Sequence, residues 1–294
     1  MCAIMLVVND MKKRRLKKKP IFILCGFVLI VILFFVLFKV FNYYTSYEYR
    51  LGKIGYNESE ISSILKLDKK YIAYINSKYK GAKVDFNNVI VKVNTRTNYD
   101  YYTHTSLTNM DLEYGILVNK YYHLSEKYAP DDIVTMSSQY AYPGNSIRKD
   151  VYDAFKKMAD DAKKEKIVLI VNSSYRDYNT QKEIYDDYAD KNGKEYADKY
   201  AARPDYSEHQ SGLALDIFTP GAGMKTFSDT DAYKWLINNC YKYGFILRYP
   251  DGKEDITGYS YESWHYRFIG EDLAKKVYES GLTFDEYYAY YLDK

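Results

Sequence analysis

Cysteine is scarce in this chain. Cys2, Cys25 and Cys240 are the three among 294 residues, and the first two fall before or inside an apolar run. Cys240 therefore stands alone in the main body of the chain, which excludes a disulfide framework. No Cys-x-x-Cys occurs, so a bound metal must take other ligands. Histidine is scarce too, with four residues: His104, His123, His209 and His265. Basic excess is missing outside the N-terminal tail. Residues 1–20 hold seven of the 42 Lys and Arg and one of the 39 Asp and Glu, so the remainder is net acidic. That argues against a nucleic-acid-binding domain, and no nucleic acid is expected as a partner. No internal repeat is visible.

What is present is a globular composition, with 47% hydrophobic and 28% charged residues, enough chain for a membrane segment, a spacer and one sizeable core. Tyrosine is abundant at 37 residues. Its ring can be buried with its tip wet, so most of it is expected in the core and on its rim.

Residues 12–19 read KKRRLKKK, and residues 21–38 read IFILCGFVLIVILFFVLF without a charge. At about 1.5 Å per residue this run is near the minimum that spans a bilayer. Val40 and Phe41 extend it past Lys39, whose stem can snorkel. The positive-inside rule keeps the basic tail cytoplasmic and places the C-terminal mass outside the cell. A cleaved signal peptide is the rival. The apolar core is long for one, and the following FNYYTSYEY offers no small-x-small cleavage site. The expected organisation is a cytoplasmic tail over 1–20, a transmembrane anchor over 21–41, a spacer over 42–110 and a catalytic domain over 111–294.

In the spacer, Ser59–Tyr79 has helical spacing with a break near Leu67–Lys69, and Val89–Val93 alternates as a strand does. Beyond it, Asp150–Lys164 places Val151, Ala154, Phe155, Met158 and Ala162 on one helical face. Ile167–Val171 reads as a buried strand. Thr180–Tyr196 reads as a helix, Leu213–Phe218 as a strand, and Asp229–Tyr243 as a helix capped by Ser228 or Asp229. Phe245–Tyr249 and Trp264–Phe268 read as strands. His123 falls on an expected helix, YYHLSEKY. No regular βαβ repeat appears, so the fold class is α+β, with a small mixed or antiparallel sheet flanked by helices.

Two histidines keep unusual company. Residues 207–216 read SEHQSGLALD and residues 262–265 read ESWH. In the first, Gly212 permits a turn that a Cβ would hinder. Asp216 then lies on one strand face with Ala214, while Leu213, Leu215 and Ile217 lie on the other. A carboxylate on so apolar a strand is costly unless paired or metal-bound; Arg176 and Arg203 are possible partners. In the second, His265 and Arg267 share a face opposite Trp264, Tyr266 and Phe268. Glu262, three residues before His265, reaches the same side without being a ligand. His209, Asp216 and His265 make a three-ligand N/O set, and a catalytic zinc keeps its fourth position for water. A neighbouring glutamate that takes a proton from that water completes the parts for amide hydrolysis.

The first segment resembles the S-x-H-x-x-G-x-A-x-D motif of VanY-type D-alanyl-D-alanine carboxypeptidases, and ESWH with Tyr266 and Arg267 is similar to their E-x-W-H-x-R. SSYRD at 173–177 resembles their S-G-Y-R-S, with Ser174 in place of the usual Gly. LVNKYYHLSEKYAP at 117–130 is similar to the opening segment of that family, and the likeness runs over about residues 111–280. It implies a zinc-dependent peptidase with Zn2+ on His209, Asp216 and His265 and Glu262 as general base. It further implies that Arg176 polarises the scissile carbonyl or binds the substrate carboxylate. Gln181 and Ser207 match positions lining the peptide pocket. The expected partner is the peptidoglycan stem peptide, cleaved at its C-terminal D-alanine with D,D or L,D specificity. Two alternatives stay open: an endopeptidase on the same fold, and a non-catalytic wall-binding module whose zinc is structural. His104 and His123 match no ligand position, and Cys240 reads as a core residue.

Overall fold

The computed structural model describes residues 18–65, 69–78 and 86–293. The basic tail up to residue 17 and the expected break at 66–68 lie outside the described residues. The chain divides into two compact units, residues 1–84 and 85–294.

The first unit is helical: α1 (Lys18–Thr45), α2 (Tyr47–Ile54), α3 (Glu58–Leu65) and α4 (Lys69–Lys78). Helix α1 holds the apolar run and continues beyond it to Thr45. Its 28 residues give a length of about 42 Å, and Val28–Thr45 has a mean hydropathy of 2.1. It is therefore long and apolar enough to cross a membrane. Ser46 ends it and caps α2, accepting from the Tyr49 backbone N–H at 3.2 Å. Leu51, Ile64, Ile72 and Ile75 are buried together with Tyr56 and Tyr74.

The second unit begins with α5 (Phe86–Asn94). Here the structure corrects one expectation. The segment read as a Val89–Val93 strand is a helix, because Phe86, Val89, Ile90 and Val93 also fit a helical stripe, and β-branched residues do not by themselves exclude one. The unit holds residues 111–294, the expected catalytic domain, together with residues 85–110. Val89 and Val91 are buried, the Asn94 side-chain N–H donates to the Ala289 carbonyl at 2.9 Å, and the Tyr122 hydroxyl donates to the Asn94 carbonyl at 2.7 Å.

Two short pairings follow: β1 (Ser106–Leu107) parallel to β2 (Tyr122–His123), and β3 (Ile133–Thr135) antiparallel to β4 (Ser146–Arg148). His123 is thus on a strand, not the expected helix. Asn119 Oδ1 accepts from the backbone N–H groups of Tyr121 and Tyr122 at 2.9 and 3.0 Å, a side-chain turn that competes with helix formation.

The central sheet comprises β5 (Ile170–Ser173), β6 (Ala214–Phe218), β7 (Phe245–Tyr249) and β8 (Glu262–Phe268), all antiparallel in the order β5-β6-β8-β7. The α+β expectation holds. Helix α6 (Lys149–Lys164) lays Val151, Phe155, Met158 and Ala162 into one core with Val171, Leu215, Ile217 and Phe268. Each large apolar side chain so enclosed contributes about 1.5–3 kcal/mol. A second cluster joins Ile246 and Ile269 to Ala274, Val277, Phe284 and Tyr288, from α11 (Glu271–Ser280), α12 (Phe284–Tyr287) and the turn after it. Every residue of β6 is buried, so its polar face is enclosed as well as its apolar one.

Boundaries shift elsewhere. Strand β5 starts at Ile170 rather than Ile167, following a left-handed Lys166. The Thr180–Tyr196 helix is two, α7 (Tyr178–Asn192) and α8 (Lys194–Tyr200), divided at Gly193. Helix α9 (Asp231–Asn239) is capped by Thr230 rather than Ser228 or Asp229, because Phe227–Asp229 forms its own tight turn. Helix α10 (Glu254–Thr257) precedes β8.

Candidate metal centre and its cleft

Strand register makes the site. Asp216 on β6 is the direct cross-strand neighbour of His265 on β8, and Asp216 Oδ1 lies 3.3 Å from His265 Nδ1. His209 comes from the helical turn Glu208–Ser211 just before β6, and its Nε2 lies 3.5 Å from the same oxygen. That turn ends at Gly212 with φ +68°, where a Cβ would meet Arg148 Cγ at 2.7 Å. The glycine is therefore needed both for its left-handed backbone and for close packing. The two imidazole rings stand edge to face, 5.0 Å apart. One donor atom from each of the three residues lies within 4.8 Å of the others.

A tetrahedral cation with bonds of about 2.0–2.2 Å separates its ligand atoms by roughly 3.3–3.6 Å. The two Asp216–His distances fall in that range. Asp216 Oδ1 is buried without a hydrogen-bond partner among the described residues, an orphan carboxylate oxygen that a metal ion satisfies. Both imidazoles are oriented from behind. His209 Nδ1 lies 2.7 Å from the Ser174 carbonyl, and His265 Nε2 lies 3.2 Å from Glu208 Oε2. Each ring thereby points its other nitrogen at the shared position. The residues fit a zinc ion.

Protonation follows from burial and charge. Burial, reinforced by Arg176, depresses His209 to about 4. Burial disfavours the Asp216 carboxylate, but the two histidines outweigh it and hold the group well below the usual range. Burial also disfavours the charged His265 ring, yet Asp216 and Glu208 bring it to about 9. Metal binding at Nδ1 requires that proton to leave, so affinity falls in acid. Glu262 Oε2 lies 3.6 Å from His265 Nδ1 with its side chain 20% exposed to the cleft. Burial lifts it to about 7, with His265 opposing. A carboxylate poised there accepts a proton near neutrality.

The cleft encloses about 300 Å³ and is also lined by Arg176, Gln181, Ser207, Tyr249, Tyr259 and Trp264. Arg176 follows β5, its backbone N–H donating to the His209 carbonyl at 3.3 Å. Its Nε has no hydrogen-bond partner among the described residues. Burial disfavours its charge while Asp216 and Glu262 favour it, and guanidinium stays cationic. Gln181 anchors its Nε2 on the Ala202 carbonyl at 2.7 Å and leaves Oε1 buried and unpartnered among the described residues. Ser207 is buried at the cleft wall. Ser174 ties the turn together: its hydroxyl donates to Asn145 Oδ1 at 2.7 Å and accepts from the Ser146 N–H at 3.0 Å.

The other histidines stay apart. His104 stacks on Tyr99 at 3.8 Å, and His123 Nδ1 sits 2.8 Å from the Leu124 carbonyl. Cys240 is a buried core residue whose thiol burial pushes up to about 12. Arg203, a candidate partner for Asp216, instead pairs with Asp198 at 2.8 Å.

Three residues behind this arrangement were not singled out by sequence reasoning, Glu208, Arg248 and Asp285, and a fourth, Arg267, was placed in the second motif and on the His265 face without a role. All four are buried. Glu208 Oε1 accepts from Arg248 Nε and Arg267 Nη1, each at 2.8 Å, and Arg248 Nη1 also donates to Asp285. Burial disfavours the Glu208 carboxylate, but the two guanidiniums outweigh it and hold the group well below the usual range. The available signal was the placement of Arg267 on the His265 face of β8, next to charges that have no apolar role.

These features define a class: an α+β domain carrying a three-ligand metal-site geometry beside an antiparallel sheet, with a further carboxylate, Glu262, next to the ligands. The VanY family model, described as D-alanyl-D-alanine carboxypeptidase, matches residues 144–271. The chain is 43% identical over 179 residues to the putative carboxypeptidase YodJ of Bacillus subtilis (strain 168), a match over 58% of this chain and 66% of that protein. It is 40% identical to a solved structure of the LdcB LD-carboxypeptidase, covering 63% of this chain and 90% of the other with a TM-score of 0.60. A mutant of the vancomycin-resistance D,D-pentapeptidase VanY, solved with Zn(II), is 34% identical over 60% of this chain and 99% of its own, with a TM-score of 0.53. The chain belongs to the VanY D-alanyl-D-alanine carboxypeptidase family. The match spans 66%, 57% and 50% of the length of three curated relatives.

Proposed function

We propose that this protein is a zinc-dependent carboxypeptidase that removes the C-terminal D-alanine from peptidoglycan stem peptides. One observation carries the reading: a nitrogen of His209 and one of His265 converge on a buried Asp216 oxygen that has no hydrogen-bond partner among the described residues, with Glu262 3.6 Å from one of the ligands. His209, Asp216 and His265 would hold the zinc, which when bound supplies Lewis acidity at an open coordination position. The zinc-loaded VanY relative supports that choice of metal. Glu262 takes a proton from the attacking water and returns it to the leaving amine. Arg176 offers a cationic fork to the substrate carboxylate or the scissile carbonyl. Gln181 and Ser207 orient the peptide, Gln181 through its Oε1, which has no partner among the described residues.

The apolar helix supports a single-pass anchor, tail inside and catalytic domain outside, which brings the cleft to the wall. Detecting a mature N-terminus near residue 45 would contradict the anchor. The activity test is the purified chain with penta- and tetrapeptide stems, read by mass spectrometry with and without a chelator. Chelator-sensitive release of D-alanine from either stem supports the reading, and the preferred stem separates D,D from L,D specificity. Internal fragments would favour an endopeptidase, and no cleavage of either stem contradicts the proposal.

A further inference from the structure

The mechanism above leaves a fully buried carboxylate without a role. Glu208 is 2% exposed and directly precedes a metal-ligand candidate. It makes three contacts. Oε1 accepts from Arg248 Nε on β7 and Arg267 Nη1 on β8, both at 2.8 Å, and Oε2 faces His265 Nε2 at 3.2 Å. Both arginines are held elsewhere too. Arg267 Nη2 donates to the Ile116 carbonyl at 2.8 Å and to the Tyr114 carbonyl at 3.0 Å, and Arg248 is tied to Asp285. The carboxylate is thus clamped by two anchored guanidiniums, and one oxygen remains for the imidazole.

We propose that Glu208 is a positioning residue that fixes His265 with its proton on Nε2 and its Nδ1 lone pair turned to the metal position. This rests on the zinc reading above. An acceptor-only group behind Nε2 selects the tautomer whose free nitrogen is Nδ1, and an anionic partner raises the basicity of the ring as a ligand. A neutral amide would do neither. In Glu208→Gln the arginines would keep the amide carbonyl, so the amide N–H would face Nε2 and move the imidazole proton to Nδ1, the atom needed for the metal.

The test measures zinc affinity of the full chain by competition with a chromophoric chelator, using zinc alone as probe. Glu208→Gln is compared with Asp285→Asn, which removes a charge from the same buried network without touching His265. Thermal melting of the metal-free proteins fixes a temperature at which both variants are folded. Glu208→Gln is expected to bind zinc about 10–100-fold more weakly than the wild type, while Asp285→Asn stays within about threefold. Equal affinity in Glu208→Gln and the wild type, or equal losses in the two variants, overturns the positioning role while leaving the zinc reading intact. A wild-type chain that binds no zinc overturns the reading itself, and the inference with it. If Glu208→Gln does not fold, Glu208→Asp, which keeps the charge but shortens the reach to His265, takes its place with the same expected direction.

Discussion

Replacing Asp285 by Asn tests whether the buried ion network holds the second unit together. Arg248, Glu208, Arg267 and Asp285 form two cations and two anions with no solvent exposure of their side chains. Removing the charge on Asp285 leaves two guanidiniums on one carboxylate in a dry interior. Breaking such a pair from one side costs about 3–5 kcal/mol, because the surviving charge remains desolvated. In a domain of this size each kcal/mol lowers Tm by roughly 2–4 °C, so the variant should melt about 6–20 °C below the wild type. Calorimetry with a chelator present removes any stabilisation from bound metal. The control is Asp187→Asn, which removes the same charge from the exposed Lys191–Asp187 pair at 2.7 Å and is expected to cost under about 1 kcal/mol. A shift in Asp285→Asn no larger than in Asp187→Asn would refute the reasoning.

Gly212→Ala places a Cβ 2.7 Å from Arg148 Cγ and 3.2 Å from both Ile133 Cδ1 and Pro130 Cγ at a φ of +68°. It should lose about 1–3 kcal/mol in calorimetry and bind zinc more weakly, since His209 sits on the same turn. Lys120 is buried between the rings of Tyr101 and Tyr259, and burial lowers it to about 8 from 10.5. The folded state therefore binds fewer protons than the unfolded one between about pH 8 and 10.5, and this residue's contribution to stability rises with pH across that window. The difference in stability between wild type and Lys120→Met, followed by denaturant melts, should shift in favour of the wild type as pH rises from 8 to 10. In turnover assays, kcat/KM should climb with pH through the Glu262 titration. That inflection should fall below about 7, the metal-free value, because a bound cation favours the carboxylate.

Sequence pattern reached the chemistry further than it reached the architecture. Asp216 and His265 stood out because polar residues interrupt apolar strands and a period of two gives each a face, whereas His209 and Glu262 stood out through the motifs that contain them. That Asp216 and His265 are register partners is a pairing between segments about 50 residues apart, which no local pattern encodes. Glu208, Arg248 and Asp285 were invisible for the same reason: a charged residue reads as solvated until distant strands enclose it. Two local errors had local causes. Val89–Val93 carries β-branched residues that alternate as in a strand yet lie on a helix. His123 follows an asparagine whose side chain takes the backbone donors a helix would need. The cap of α9 lies one or two residues beyond the expected Ser228 or Asp229 because three adjacent positions, Ser228, Asp229 and Thr230, are all competent caps.

The most direct measurement of the central claim is made on Glu262→Gln. The proposed mechanism gives metal holding to His209, Asp216 and His265 and proton transfer to Glu262, so it requires the two functions to separate. Zinc content of the purified variant should stay at one ion per chain, while D-alanine release falls by about 10²–10⁴. Retained turnover, or loss of the zinc together with the activity, would contradict that division of roles.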